Sequence, residues 1–550
     1  MVPPANRLPR NRGLARLYHT VRHLRLRQIA WQIRRKIFPP KLAVTSGLPA
    51  CEPERLSLLP FPSKPLTHLD AGRFNFLNRE VDLGLPIDWN AEHLPLLWRY
   101  NLHYFDYLQQ PSMTWDVGSA VMSDWVERHR VRKEGVGWQP YPISLRIVNW
   151  IKFLCHHEKF PPLLCQSLAA QGENLSRQIE YQILGNHLFS NGKALWFAGA
   201  FLQQQQWLRI GRTIILDQLK EQFLPDGGHF ELSPMYHALA VEDLLDLINL
   251  CQVLGDRVAV SELQRTAQIA LQWLAELVDS SGRFPLLNDS AYSIAPTQDD
   301  LARYSRRLGL EPGPRQVQRQ FDHGWTGRNL SGYWVLENKA MRIIFDTAPL
   351  GSDYLPGHAH CDMLSVLMDF REQNVLCDTG VFEYAEGARR TYSRSTAAHN
   401  TVVLDGLEQA EIWKSFRVGR RGHPQEMKIT SSELSCEHTG FAIWQRGLDH
   451  RRTIRLLENG FEWVDHVQGP GEHRFEAYFH FAPDVEITSG VESRFSLSNG
   501  LVFDVRGCSA SLMSSEYYPQ FGVVQERPCL LLSGTFKGKA QFGVKCTYFS

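Results

Sequence analysis

The ten cysteines of this 550-residue chain include no CxxC pair, and no apolar run approaches the roughly 20 residues of a membrane span. Residues 1–51 hold no Asp or Glu at all. Each absence narrows the reading. Cysteines set inside apolar helical runs, such as Cys155 in WIKFLCHH and Cys251 in LINLCQVL, read as buried free thiols and not as a disulfide framework. The N-terminal stretch has no continuous apolar h-region, so no signal peptide is legible. A net charge of +1 gives no global pull toward nucleic acid. No strict repeat period runs through the chain, which argues against a regular solenoid array.

What is present begins with charge. The acid-free first 51 residues carry eleven Lys or Arg, and Leu14, Leu17, Val21 and Leu24 recur there at helical spacing. A basic amphipathic helix is expected. Three roles compete for it: docking on the body of the protein, contact with a membrane surface or anionic polymer, or targeting. Docking is preferred, because an apolar stripe needs a partner.

Length alone implies two or three domains, and 43% hydrophobic with 21% charged residues is a soluble globular composition. Aromatics make up 11% of the chain, with 15 tryptophans. A large core accounts for most of these rings, though flat ring faces also suit sugar-binding clefts. From about residue 90 to 330 the pattern is helical. YPISLRIVNWIKFLCHH, HLFSNGKALWFAGAFL, ALAVEDLLDLINLCQVLG and SELQRTAQIALQWLAELV each space apolar residues by three and four, with turn signals such as PDGG and LGDR between them. This predicts a helical toroid. From about 331 to 550 the period shortens to that of strands, as in GYWVLEN, MRIIFDT, NTVVLDG, RRTIRLLEN, GFEWVDHV and FEAYFHFAP, which predicts an antiparallel β-sandwich. The fold class is α+β and multidomain: a basic segment at 1–50, an extension at 51–89, the toroid at 90–330 and the sandwich at 331–550. DHGWTGRNLSGYW reads as the linker between the two large domains.

Four stretches carry candidate chemistry. In GNHLFSNGKALWFAGAFL, Asn186 and His187 precede an apolar helix, where Asn186, Ser190 or Asn191 can cap it. In FLPDGGHFELSPMYHALAVEDLLDL, Tyr236 and His237 start a helix, and a phenol there can face a cleft as a proton-transfer group. In DYLPGHAHCDMLSVLMDF, His358, His360 and Asp362 alternate ahead of an apolar run. In NVLCDTGVFEYAEGARRTYSRSTAAHNTVVLDG, Asp378 and His399 stand in separate β segments, and with His360 they make a candidate divalent-metal set.

Taken in order, GNH, SPMYH, GHAHCD and RSTAAHNTVVLDG resemble the heparinase II/III-like family of polysaccharide lyases, from about residue 90 to the C-terminal region. The resemblance implies an (α/α) toroid followed by an antiparallel β-sandwich. It also implies cleavage of a uronic-acid polysaccharide by β-elimination, in which the C5 proton is removed and the 4-linked sugar leaves. Three tasks follow: neutralising the carboxylate, taking the proton and protonating the leaving oxygen. By resemblance, Asn186 and His358 neutralise the carboxylate. Tyr236 is the acid and a candidate base, and His187 is the alternative base. Tyr384 is the nearest match to a second tyrosine, with Tyr392 and Phe382 as competitors. Arg146 and Arg394 are read as contacts to the polymer or as interdomain ion-pair residues. His360, Asp378 and His399 are implied ligands of a mainly structural zinc. If His358 faces substrate and His360 the metal, strict strand alternation fails between them, and a bend or loop is expected.

The resemblance implies an anionic polysaccharide as partner, with no nucleic acid. It also implies a cell-envelope or periplasmic setting, in line with exopolysaccharide assembly, although no signal peptide is legible. A glycoside hydrolase on a similar toroid, using Asp226, Glu231 or Asp289, would need two carboxylates facing each other across the cleft. A binding or assembly protein without turnover is the third class.

Overall fold

The structure, a computed structural model, describes residues 13–40, 53–129, 135–491 and 493–548. Parts of the basic N-terminal segment and of the 51–89 extension therefore lie outside the described residues. Within that extension, His68–Asp70, Arg73–Phe76 and Arg79–Asp82 form a three-stranded antiparallel sheet.

Helices from Leu96–Tyr104 to Gln298–Arg307 build the first large domain. Their ends are set by local chemistry. Ser233 caps Pro234–Leu254 by accepting from the Tyr236 amide, and Gly255, at φ 67°, ends that helix in the left-handed conformation. Asp256 then caps Arg257–Leu277. The helix Gly185–Phe201 is buried on nearly every side, as an all-round apolar helix must be.

The second domain is two antiparallel sheets. A six-stranded meander spans Arg319 to Leu376, and a ten-stranded sheet is built on Gly460–His480 and Gln525–Tyr548. Ile343, Phe345 and Met368 from the first sheet meet Ile454, Trp463 and Phe479 from the second in one core. The predicted sandwich is present, with two differences. The segments GFEWVDHV and FEAYFHFAP are one 21-residue strand, because Gly469-Pro470-Gly471 makes a bulge against the partner strand and not a reversal. The presumed linker is a hairpin, Thr326–Leu330 with Tyr333–Glu337, turned at Ser331-Gly332, so strand pairing starts at Arg319 instead of 331.

The domains are cemented by a shared apolar core. Leu232, Trp273, Leu277 and Leu287 of the helical side pack on Leu330, Tyr333, Val335, Ile344 and Leu367 of the β side. Polar stitches flank it. The Tyr333 hydroxyl donates to the Leu232 carbonyl at 2.7 Å, and Asp226 accepts from the Ser331 hydroxyl at 2.9 Å. Gly228 is required there, since a Cβ would stand 2.0 Å from Ser331 Oγ. The cleft between the domains is therefore a fixed seam.

Candidate active site

The seam organises the site around Asp289, on the loop that follows Arg257–Leu277. Its preceding residue, Asn288, is buried at φ 54°, a left-handed conformation that Asn tolerates better than most side chains. Asn288 Nδ2 donates to the Leu232 carbonyl at 3.1 Å, and its Oδ1 accepts the His360 amide at 2.9 Å. The Asp289 amide donates to the His358 carbonyl at 3.1 Å, while its own carbonyl accepts from Ser233 Oγ at 2.8 Å. One loop of the helical domain thus fixes both the 358–360 loop and the cap of the Tyr236 helix.

The Asp289 carboxylate is fully buried and takes three cationic or imidazole partners. His358 Nδ1 stands 2.9 Å from Oδ2 and His360 Nε2 stands 2.9 Å from Oδ1. Arg390 grips both oxygens, Nη2 at 2.9 Å and Nη1 closer still. Burial alone would raise this carboxyl, but the Arg390 charge and the three hydrogen-bonding neighbours hold it well below the usual carboxylate range. His358 and His360 do lie in a loop ahead of the strand Val366–Phe370, so the bend expected between them is present.

Around His358 stand the phenols. The Tyr236 ring lies 3.9 Å from the His358 ring, and its hydroxyl is 3.2 Å from that of Tyr384. Tyr384 also lies under the Arg390 guanidinium at 4.9 Å and against Phe416. The competing aromatics are elsewhere: Tyr392 is buried against Tyr518, and Phe382 packs on the same ring. Burial first, then the neighbouring phenol, hold Tyr236 well above its ordinary pKa; burial with Asp289 does the same to Tyr384. Both are proton donors in the free protein.

In the helical domain, His187 Nδ1 pairs with Glu180 Oε1 at 3.1 Å and its ring lies 4.3 Å from Tyr141. Burial opposes a charged imidazole here, but Glu180 outweighs it and raises the His187 pKa. A histidine whose protonated form Glu180 favours suits an anionic ligand better than proton abstraction. Asn186, half-buried in the first helical turn, is not the cap: Leu184 occupies that position and no side chain caps it. Neither Ser190 nor Asn191 caps either, and Asn191 instead binds the Glu180 amide at 2.8 Å. Gly185 is required, because a Cβ would stand 2.3 Å from Leu355 and 2.8 Å from Glu231 Oε1.

Two arginines land where no polymer reaches. Arg146 is buried, bound to Gln171 and to the carbonyls of His103 and Gly137, with its guanidinium 4.0 Å from the Trp125 ring. Without a carboxylate partner, burial pulls its pKa to about 9. Arg394 is equally buried and holds the Ala359, Lys414 and Ser415 carbonyls, so it shapes the histidine loop from behind. Neither forms an interdomain ion pair. Sequence reasoning passed over Arg390, whose spacing of four from Arg394 on the short helix Ala388–Arg394 was its only signal, and gave Asp289 only as a hydrolase acid.

The three implied metal ligands come close together. His399 Nδ1 is 2.8 Å from Asp378 Oδ2, and the His360 and His399 rings are 5.3 Å apart. Among the described residues no group of three His, Cys, Asp or Glu stands ready to hold an ion. The donors left over nevertheless fit one. His360 Nδ1 and His399 Nε2 are buried without a partner, and each ring is fixed through its other nitrogen by a carboxylate. Asp362 Oδ2 is likewise unpartnered, with burial pushing that carboxyl up to about 7. Asp378 spends Oδ2 on His399 and Oδ1 on the Thr379 amide.

Two family models match this chain: Heparinase II/III N-terminus over residues 76–305 and Heparinase II/III-like, C-terminal over 328–544. The chain belongs to the heparinase II/III-like family. Heparin-sulfate lyases of Bacteroides stercoris and Pedobacter heparinus are 24% and 21% identical to it, over 64% and 69% of this chain. The chain spans only 55% and 62% of the length of those two relatives. A crystal structure of heparinase III superposes with a TM-score of 0.67 at 16% identity, covering 85% of this chain and 80% of its own. The heparan sulfate lyase of Pedobacter heparinus gives 0.53 at 15% identity, covering 95% and 88%. The fold is theirs, a helical toroid followed by a β-sandwich.

Glu231 offers a test of the site's electrostatics. It is buried between His358, whose Nε2 is 3.6 Å away, and Gly185, and neither oxygen gains a full hydrogen bond. Burial raises its pKa, opposed by His358, His187 and the Asn186 amide. A carboxyl raised in the fold loses stability as pH climbs from the unfolded value, about 4.3, toward the folded one. The neutral variant Glu231→Gln lacks that loss. Urea unfolding from pH 4 to 7 is expected to show the variant gaining on the native protein as pH rises; a constant difference would contradict the raised pKa.

Proposed function

We propose that this chain is a lyase that cleaves a uronic-acid-containing polysaccharide by β-elimination, in bacterial exopolysaccharide metabolism at the cell envelope. The observation that carries the reading is the Tyr236 ring tilted against that of His358, centres 3.9 Å apart, with its hydroxyl paired to Tyr384. In this reading Tyr236 is the acid, His358 the partner of the uronate carboxylate and Tyr384 the second phenol, and the three side chains lie together. The heparin-sulfate lyases among the relatives support the same chemistry.

In this mechanism His358 carries a proton on each ring nitrogen, giving the Nδ1 proton to Asp289 and the Nε2 proton to the uronate carboxylate, and Asn186 donates beside it. His187, whose protonated form Glu180 favours, adds to that neutralisation, so charge can build on the carboxylate as the C5–H bond breaks. The C5 proton passes to the deprotonated form of the phenol pair. Burial holds both phenols neutral in the free protein, so the pair must first release one proton to solvent when substrate binds, and that phenolate then takes the C5 proton. Tyr236 then gives the proton to the leaving O4 as the C4–O bond breaks and the C4–C5 double bond forms. The same proton is carried across, and no water is consumed.

The hydrolase alternative finds no support in the carboxylates. Asp289 is committed to two histidines and Arg390, Asp226 accepts from Ser331, and Glu231 is buried. The test uses a panel of uronate polymers, read by the ultraviolet absorbance of the unsaturated uronate. Tyr236→Phe is expected to lose at least ~100-fold in turnover while still binding polymer. New reducing ends without absorbance would overturn elimination.

His360 and His399, with Asp362 or Asp378, would hold a divalent ion, for which zinc suits the imidazole donors. When bound, such an ion supplies cross-linking of the 358–362 loop to the sandwich. Metal analysis of the purified protein is expected to find about one zinc per chain, lost in His399→Ala together with several degrees of melting temperature. A metal-free native protein with unchanged melting in the variant would contradict this site.

A further inference from the structure

The two N-terminal helices, Gly13–Val21 and Leu26–Ile37, dock on the body of the protein, but with the wrong face for a helix that is merely docked. Their inward contacts are mostly polar or cationic, with Trp31 the main ring among them. Thr20 is buried and its hydroxyl oxygen accepts from Trp413 Nε1 at 3.1 Å. Gln28, 2% exposed, donates to the Tyr354 carbonyl. Arg25 pairs with Glu221 at 2.8 Å while its guanidinium lies 3.7 Å from the Tyr354 ring centre, and Arg35 donates to the Gln178 carbonyl at 2.7 Å. Trp31 stacks on Tyr181.

Most of the large apolar side chains point outward, with Leu24 and Ile29 partly buried. On the first helix Leu14, Leu17, Tyr18 and Val21, spaced by three and four, are 85%, 50%, 64% and 40% exposed. On the second, Leu26, Ile33 and Ile37 share a face and are 85%, 53% and 62% exposed, followed by Phe38 at 71%. These eight are among only twenty large apolar side chains exposed in the described residues, concentrated in 25 positions of sequence. Apolar residues that could have turned inward are instead held outward by a polar docking face, the inverse of the usual arrangement.

Charge identifies the occupant. Residues 1–51 hold eleven Lys or Arg and no acid, and Arg22, Arg27, Arg34 and Lys36 are exposed beside the apolar stripes. A second copy of the chain would cover the leucines and isoleucines but would bring two acid-free basic segments together. An anionic polysaccharide would pair with the arginines and gain nothing from Leu26, Ile33 or Ile37. An anionic bilayer satisfies both features, with headgroups for the arginines and the acyl boundary for the apolar side chains. We infer that these two helices form a peripheral docking surface for an anionic lipid membrane. No helix among the described residues is long and apolar enough to cross a membrane, so the attachment is interfacial. The surface abuts the cleft: the same helices rest on Trp413 and Tyr354, and Tyr354 lies four residues before His358.

The test is sedimentation of the full chain with sucrose-loaded vesicles, either phosphatidylcholine alone or with about one-third phosphatidylglycerol. The comparison is the triple variant Leu26→Ser, Ile33→Ser, Ile37→Ser, whose replaced side chains are exposed, with circular dichroism as the check on folding. Native protein is expected to sediment with the anionic vesicles and not the neutral ones, and the variant to bind them at least about tenfold more weakly. Equal sedimentation of native and folded variant would overturn the proposal, as would failure of the native chain to bind anionic vesicles. A dimer in light scattering that the variant abolishes, without vesicle binding, would assign the face to a second copy. Retention on heparin without vesicle binding would assign the charge to a polyanion.

Discussion

A single buried carboxylate holds this site together. Asp289 is without solvent exposure, and an isolated charge there would be prohibitive. It is tolerated because Arg390, His358 and His360 converge on its two oxygens from the β domain. The arrangement is mutual: Arg390 is also buried, and without Asp289 its guanidinium would keep only the Ser415 carbonyl among its strong partners. Removing one member of such a set costs about 3–5 kcal/mol, because the others are left uncompensated. His358 and buried His360 are therefore oriented by the same group, which couples the residues around Tyr236 to the integrity of the sandwich.

That coupling needs two domains that do not drift. The apolar core shared by Trp273, Leu277, Tyr333 and Ile344 restrains the freedom, and the hydrogen bonds of Asn288 and Tyr333 set the register. Tyr236 comes from the helical domain and Tyr384 from the β domain, so their 3.2 Å contact depends on this seam. The unusual backbone at Asn288 and the glycines at 185 and 228 lie on the same seam, where close approach leaves no room for a side chain or an ordinary dihedral.

Much of this was legible in the amino-acid order. The change from a three-four period to a two period marks the domains, and the motifs around Asn186, Tyr236, His358 and His399 do meet. Other features resisted for physical reasons. Asp289 finds its partners 69 to 101 residues away, and an acid in LLNDSAYS reads locally as a turn residue. Arg146 was read as a polymer contact or an ion-pair partner, whereas backbone carbonyls and a tryptophan face satisfy it without any carboxylate. Gly469-Pro470-Gly471 has the composition of a turn, yet a long partner strand absorbs it as a bulge. The N-terminal helices were correctly expected to dock, but the premise that the apolar stripe would make the contact fails at Thr20, Gln28 and Arg35.

The most direct measurement is a crystal structure of Tyr236→Phe bound to a uronate oligosaccharide that the native protein cleaves. The expected result has His358 keeping Nδ1 on Asp289 while Nε2 and Asn186 hold the uronate carboxylate, with the glycosidic oxygen over the ring edge at position 236. A uronate carboxylate bound away from His358, or a glycosidic bond flanked by Glu231 and Asp226, would contradict the account.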